Sequence, residues 1–118
     1  MQRNVFSFKV AIAKGCEPRL YSYDPGKMPL GVFDARLDCK IWSKRIIAIN
    51  CYFIRIDTEE RFVVTVYCNR ETSRFQLSHS TVDFSQCPTG EIYCLKFIKN
   101  DKGKVLLEKA EPAQHVTQ

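Results

Sequence analysis

Histidine is nearly absent from this 118-residue chain, which holds only His79 and His115. A serine or cysteine nucleophile needs a base within hydrogen-bond reach, so this scarcity removes most routes to covalent catalysis. His79 lies in the polar stretch Leu77-Ser78-His79-Ser80 and His115 near the C-terminus, and no Gly-x-Ser-x-Gly elbow accompanies either. Pairing of His79 with Cys87 or Ser80 is the one arrangement that would make the chain a small hydrolase. The five glycines, Gly15, Gly26, Gly31, Gly90 and Gly103, are too dispersed for a P-loop or a dinucleotide fingerprint. No two cysteines stand two to four residues apart, so a paired zinc-ligand spacing is missing. Long apolar runs are missing too: none approaches the roughly 20 residues that span a bilayer. Asp34 and Asp38 fall on one face of a strand and Glu59-Glu60 in a turn, where carboxylates serve solvation and turn chemistry. The expectation is a protein that is not an enzyme, with no cofactor, no metal and no membrane partner.

Six cysteines are present: Cys16, Cys39, Cys51, Cys68, Cys87 and Cys94. Cys51, Cys68 and Cys94 sit inside strand-like apolar runs, where a free thiol behaves as a small hydrophobe. Lys9 interrupts the apolar N-terminal stretch, so no secretory signal is read there. Reduced thiols and a cytoplasmic location are expected.

What the chain does have is strand pattern. Val5 to Ala13 alternates, with Phe6, Phe8, Val10 and Ile12 on one face. Gly15, Pro18, Pro25, Gly26 and Pro29 then mark a long loop over Lys14 to Leu30. Gly31 to Ile41 is a strand whose alternation Phe33 breaks, so a bulge near Asp34 is expected. Arg45 to Asp57 is apolar on both faces, as a central strand is, and pairs as a hairpin with Arg61 to Asn69. Arg70 to Gly90 is an irregular connector with room for one helical turn. Glu91 to Lys99 and Lys104 to Ala110 form a closing hairpin around Asn100-Asp101-Lys102-Gly103, with Gly103 suited to positive φ. The fold class is all-β with at most one short helix: a small OB-like barrel, or alternatively a β-sandwich. Residues 1–110 form a single domain and 111–118 a flexible tail.

The order meander, connector, closing hairpin resembles single-stranded-DNA-binding OB domains, five-stranded Greek-key barrels. Gly90-Glu91-Ile92-Tyr93-Cys94 followed by Asn100-Asp101-Lys102-Gly103-Lys104 looks like their last hairpin. The glycine that many such domains carry after the strand at Leu95 and Lys96 is missing here.

Charge points the same way. Eighteen Lys and Arg against thirteen Asp and Glu leave a formal +5, which favours anionic partners. Cations interleave with rings in Lys40-Ile41-Trp42-Ser43-Lys44-Arg45, which holds the only Trp. Rings can stack bases while Lys and Arg neutralise phosphates. The function read from this is a non-enzymatic module for single-stranded DNA or RNA. Its expected contacts are Lys40, Trp42, Lys44, Arg45, Tyr52, Arg55, Tyr67, Arg70 and Arg74. The alternative is a protein-interaction module, an accessory or adaptor of phage, plasmid or effector type, that uses an exposed strand edge. Such an edge also allows a homodimer.

Overall fold

The computed structural model describes residues 10–12, 28–43, 47–77 and 80–113. Most of the expected long loop and the start of the first expected strand lie outside the described residues. The strands are β1 (Val10–Ile12), β2 (Gly31–Trp42), β3 (Ala48–Arg55), β4 (Arg61–Tyr67), β5 (Ile92–Lys99) and β6 (Val105–Pro112). They form one antiparallel sheet in the order β4-β3-β2-β5-β6, with β1 also on β2. The protein is thus all-β, and no helix occurs among the described residues.

β2 is the spine. One of its edges carries β3 along Ala35–Trp42. The other is shared: β5 pairs with its first half from Gly31 to Arg36, and β1 with its second half from Cys39 to Ile41. Strands β2, β3 and β4 make a meander and β5 returns beside β2, which is the Greek-key order. The expected meander, connector and closing hairpin are all found, in one continuous sheet rather than two facing ones.

The sheet curls. Phe62 on β4 and Phe97 on β5 are three strand spacings apart, which in a flat sheet is about 14 Å. Their ring centroids are 5.6 Å apart. Phe33 bridges the two, 5.9 Å from Phe62 and 5.6 Å from Phe97. Such ring pairs contribute about 0.5–1.5 kcal/mol each beyond the area they bury. The connector plugs the concave side with Val82 and Phe84, and Phe84 meets Phe53 edge-on. No ladder joins β4 to β6 among the described residues, so the sheet does not close into a barrel.

The bulge is not near Asp34. Registration of β2 against β3 shifts between Leu37 and Cys39, leaving Asp38 as the extra residue. Phe33, Ala35 and Leu37 share the core face, and the residue out of pattern is Val32, which is 63% exposed. Beyond Asp38 the alternation inverts. Cys39 joins Tyr52 and Val63 in a small cluster on the opposite face, and Lys40 points inward.

Lys40 is only 4% exposed. Its Nζ donates to the carbonyl of Phe84 at 2.9 Å and to that of Cys87. The Trp42 ring lies 5.2 Å away. Two of the amine's donors thus have carbonyl partners and its charge faces an aromatic ring, the compensation a buried lysine requires. Asp83 makes a second tie: its Oδ1 accepts from Ser85 Oγ at 2.7 Å and from the N–H groups of Ser85 and Phe75.

Two predictions follow from these ties. Lys40→Met removes the amine donor from the buried Phe84 carbonyl and the part-buried Cys87 carbonyl and should lower unfolding free energy by about 1–3 kcal/mol. Urea denaturation at neutral pH measures it, and an unchanged or raised midpoint would show that the amine is dispensable. Burial pushes the Asp83 carboxyl up, but the Ser85 hydroxyl and the Ser85 and Phe75 amides outweigh it and hold the carboxyl below its ordinary value. A depressed folded value contributes stability above the unfolded one, 3.8, that is lost as pH falls through the folded one. Asp83→Asn should start less stable at pH 7 and lose less between about pH 5 and 3 than the parent. Calorimetric melting across that range checks it, and parallel curves would refute the assignment.

Candidate nucleic-acid interface

The end of the sheet where β2 leaves, β3 enters and β4 leaves holds the exposed Tyr67 ring together with the exposed Arg70 and Arg74. Pairing of Trp42 with Ile49 and of Ala48 with Tyr67 puts Trp42, Ile47 and Tyr67 at this end. Tyr67 follows Val63 and Thr65 on the outward face of β4 and is 64% exposed. Ile47 precedes β3 and is 72% exposed.

The segment after β4 fixes the neighbouring cations. Asn69 has the short polar side chain that builds a local turn. Its Oδ1 accepts from the N–H of Glu71 at 2.8 Å and of Thr72 at 3.3 Å. Its main chain bonds Ser73 and Arg74 at 2.7 Å each, and Ser73 takes φ 60° to complete the turn. Arg70 is thereby held beside Tyr67, and the two line one surface depression of about 540 Å³ with Ile47, Cys68 and Ser73. Arg74 is exposed across the same turn.

The nine expected contact residues divide clearly. Tyr67, Arg70 and Arg74 come together, and Trp42 stands at the same end, half-buried against the core. Lys40 is inside, holding the connector, and cannot reach a phosphate. Tyr52, 3% exposed, packs with Cys39 and Val63 on the convex face and offers no ring to stack on. Arg55 is at the far end of β3, roughly 24 Å along the strand. There its guanidinium covers the Phe33 ring at 4.3 Å and pairs with Asp57 at 2.6 Å and Glu60 at 3.9 Å. Lys44 and Arg45 lie outside the described residues. Ile47 and Ser73 were missed, and only Ser73 left a signal, in the turn-forming run Asn69-Arg70-Glu71-Thr72-Ser73.

The remaining chemistry is subdued. A cavity of about 520 Å³ beneath the connector is lined by Asp83, Gln86, Cys87, Glu91 and Tyr93. Burial pushes the Cys87 thiol up despite Lys40 nearby, and it pushes the Tyr93 hydroxyl up further. Ser80 Oγ accepts the Ala110 N–H at 2.8 Å. His79 lies outside the described residues. Among the described residues no three His, Cys, Asp or Glu side chains cluster as metal ligands, and no helix is long and apolar enough to cross a membrane. A scan of protein-family models finds no match to this chain, and searches of curated proteins and of solved structures find none either.

Burial raises the Cys51 thiol well above its ordinary value, with Cys87 adding to the shift and Lys40 opposing it. Cys51 should resist iodoacetamide at mildly alkaline pH until the protein unfolds. Residue-resolved mass spectrometry tests this, and alkylation of Cys51 in the native protein would show that the core opens locally.

Proposed function

We propose that this protein is a non-enzymatic module that binds single-stranded nucleic acid at the Tyr67–Arg70 end of the sheet. The observation that carries the reading is an exposed ring held beside an exposed guanidinium across one depression. A base laid on Tyr67 would leave its phosphate within the field of Arg70, with Arg74 beyond. Base–aromatic stacking contributes about 1–3 kcal/mol and tolerates any base.

The strand order supports the same reading. OB-type barrels present the face of their second and third strands, and the loops after the first and fourth, to oligonucleotides. The equivalents here are β3 and β4 and the turns after β2 and β5. Lys44 and Arg45 fall between β2 and β3 in the sequence, next to the Tyr67 end, whereas Lys102 lies in the turn after β5 at the Arg55 end. The net charge of +5 draws a polyanion toward the surface.

Fluorescence polarisation with labelled oligo-dT and oligo-U at low salt provides the test. Tyr67→Ala should weaken binding by about five- to 150-fold, the equivalent of one stacked base. Arg70→Ala should reduce the slope of log affinity against log salt by about 0.7, one phosphate contact on a single strand. Arg55→Ala, at the opposite end, should leave affinity unchanged. Equal binding by the parent and Tyr67→Ala, or no binding to either oligonucleotide, would remove the proposal.

A further inference from the structure

The curl brings the edges of β4 and β6, unpaired with another strand among the described residues, toward each other without joining them. Between them runs a groove of about 520 Å³. One wall is Val63 to Tyr67 on β4 and the other is Lys104 to Leu107 at the start of β6, with Met28, Leu77 and Phe97 among the remaining lining residues. We propose that this groove accepts an extended segment of a partner protein as an added strand, antiparallel to both walls, with alternating apolar and acidic side chains.

Direction supports it first. Every neighbouring pair in the sheet is antiparallel, and β4 and β6 are four strand steps apart, so they run the same way. One inserted strand can then be antiparallel to both edges, which extends the pattern already present. A slot walled by a strand on each side suits a lone strand, whereas the edge of another folded sheet brings its own neighbour strand with it.

The edges themselves support it next. Sheet edges are normally protected by lysine, proline, an inward charge or a bulge. β4 reads Arg-Phe-Val-Val-Thr-Val-Tyr and has none of these along its length after Arg61. β6 has both a bulge and a proline, but only beyond the groove. Its register shift leaves Glu108 as an extra residue, paired with Lys96 at 3.1 Å, and Pro112 ends the strand. Val105 to Leu107 remain open, and Leu106 is 42% exposed.

The side chains define the occupant. Val64, Val66, Phe97 and Leu107 belong to the core or pack against it, so alternate residues of the guest would meet apolar surface. Among the described residues Lys104 is the single charged residue lining the groove, and the chain as a whole carries +5. The outward residues of the guest should therefore be Asp or Glu. A main-chain edge selects another main chain, which a nucleic acid cannot supply.

The experiment uses the full chain and a library of peptides about seven residues long, the length of β4, alternating Val, Ile or Leu with Glu or Asp. Binding is read by fluorescence anisotropy, and hydrogen exchange locates it. Binders should protect amides of β4 and of Val105 to Leu107, and should lose affinity when the peptide amides facing the groove are N-methylated. Lys104→Glu should weaken them by about fivefold, the effect of a partly solvated charge pair. Leu106→Asp, at a side chain 42% exposed and outside the buried core, should weaken them likewise. Arg70→Ala should leave peptide binding intact, so failure here is separable from failure of the nucleic-acid reading. Absence of any binder, equal binding of Lys-containing peptides, indifference to N-methylation, or self-association of the chain with β4 protected would each overturn the proposal, the last in favour of a second copy.

Discussion

The connector is fastened to the sheet by a lysine in the core, and that lysine is in the core because of one extra residue in β2. Were Asp38 an ordinary paired residue and not a bulge, the alternation Phe33, Ala35, Leu37 would continue to Cys39, and Lys40 would face outward. With it, Lys40 turns inward and donates to the carbonyls of Phe84 and Cys87. The extra residue is itself anchored: Arg36 Nε donates to Asp38 Oδ1 at 2.6 Å on the outer face. An ion pair on one side of the sheet thus accompanies the register that delivers a cation to the other. Phe84 can plug the concave side because its carbonyl has a donor there, which a buried peptide group needs.

This arrangement also sorts the remaining charges by location. Lys40 belongs to folding. Arg55 belongs to the β3–β4 turn, where Asp57 and Glu60 hold it over Phe33. Arg70 and Arg74 belong to a turn built by Asn69 at the other end and are both exposed, with Arg70 lining the same depression as Tyr67. Cations that form one run or recur along one strand in the sequence therefore end in three environments. Only the last combines an exposed ring with an exposed cation.

Much of the fold was legible because its signals are local. The period-two pattern of Phe62, Val64 and Val66 against Val63, Thr65 and Tyr67 fixes both faces of β4, and the structure keeps them. Asn100 and Gly103 announce the last hairpin, where Gly103 takes φ 79° and Asn100 Oδ1 accepts from Lys102 and Lys104. The bulge was not legible at its true place. Val32 and Phe33 are both apolar, so composition does not reveal which of them faces the core, and misreading that pair displaces the irregularity toward Asp34. The error then carries to Lys40, which in a run with Lys44 and Arg45 has the appearance of a surface cation. Tyr52 was illegible for a related reason: β3 is apolar on both faces, and burial of the convex face depends on packing that no alternation encodes. Tyr67 and Arg70 could be read because a strand end and a turn are exposed in almost any arrangement.

Among the described residues, main-chain bonds do not close the curl. Phe33, Phe53, Phe62 and Phe97 come from four different strands and meet with centroids 5.6–5.9 Å apart. Apolar burial and ring contact on the concave side are enough to bring β4 over toward β5, because these terms act through side chains and do not need the edges to touch. In a closed barrel the last ladder would satisfy the edge amides and carbonyls internally. Here the rings supply the closing force instead, and among the described residues β4 and the Val105–Leu107 part of β6 line a shared groove without pairing across it. The same aromatic cluster that stabilises the domain is therefore what holds an incomplete sheet in a shape complementary to one more strand.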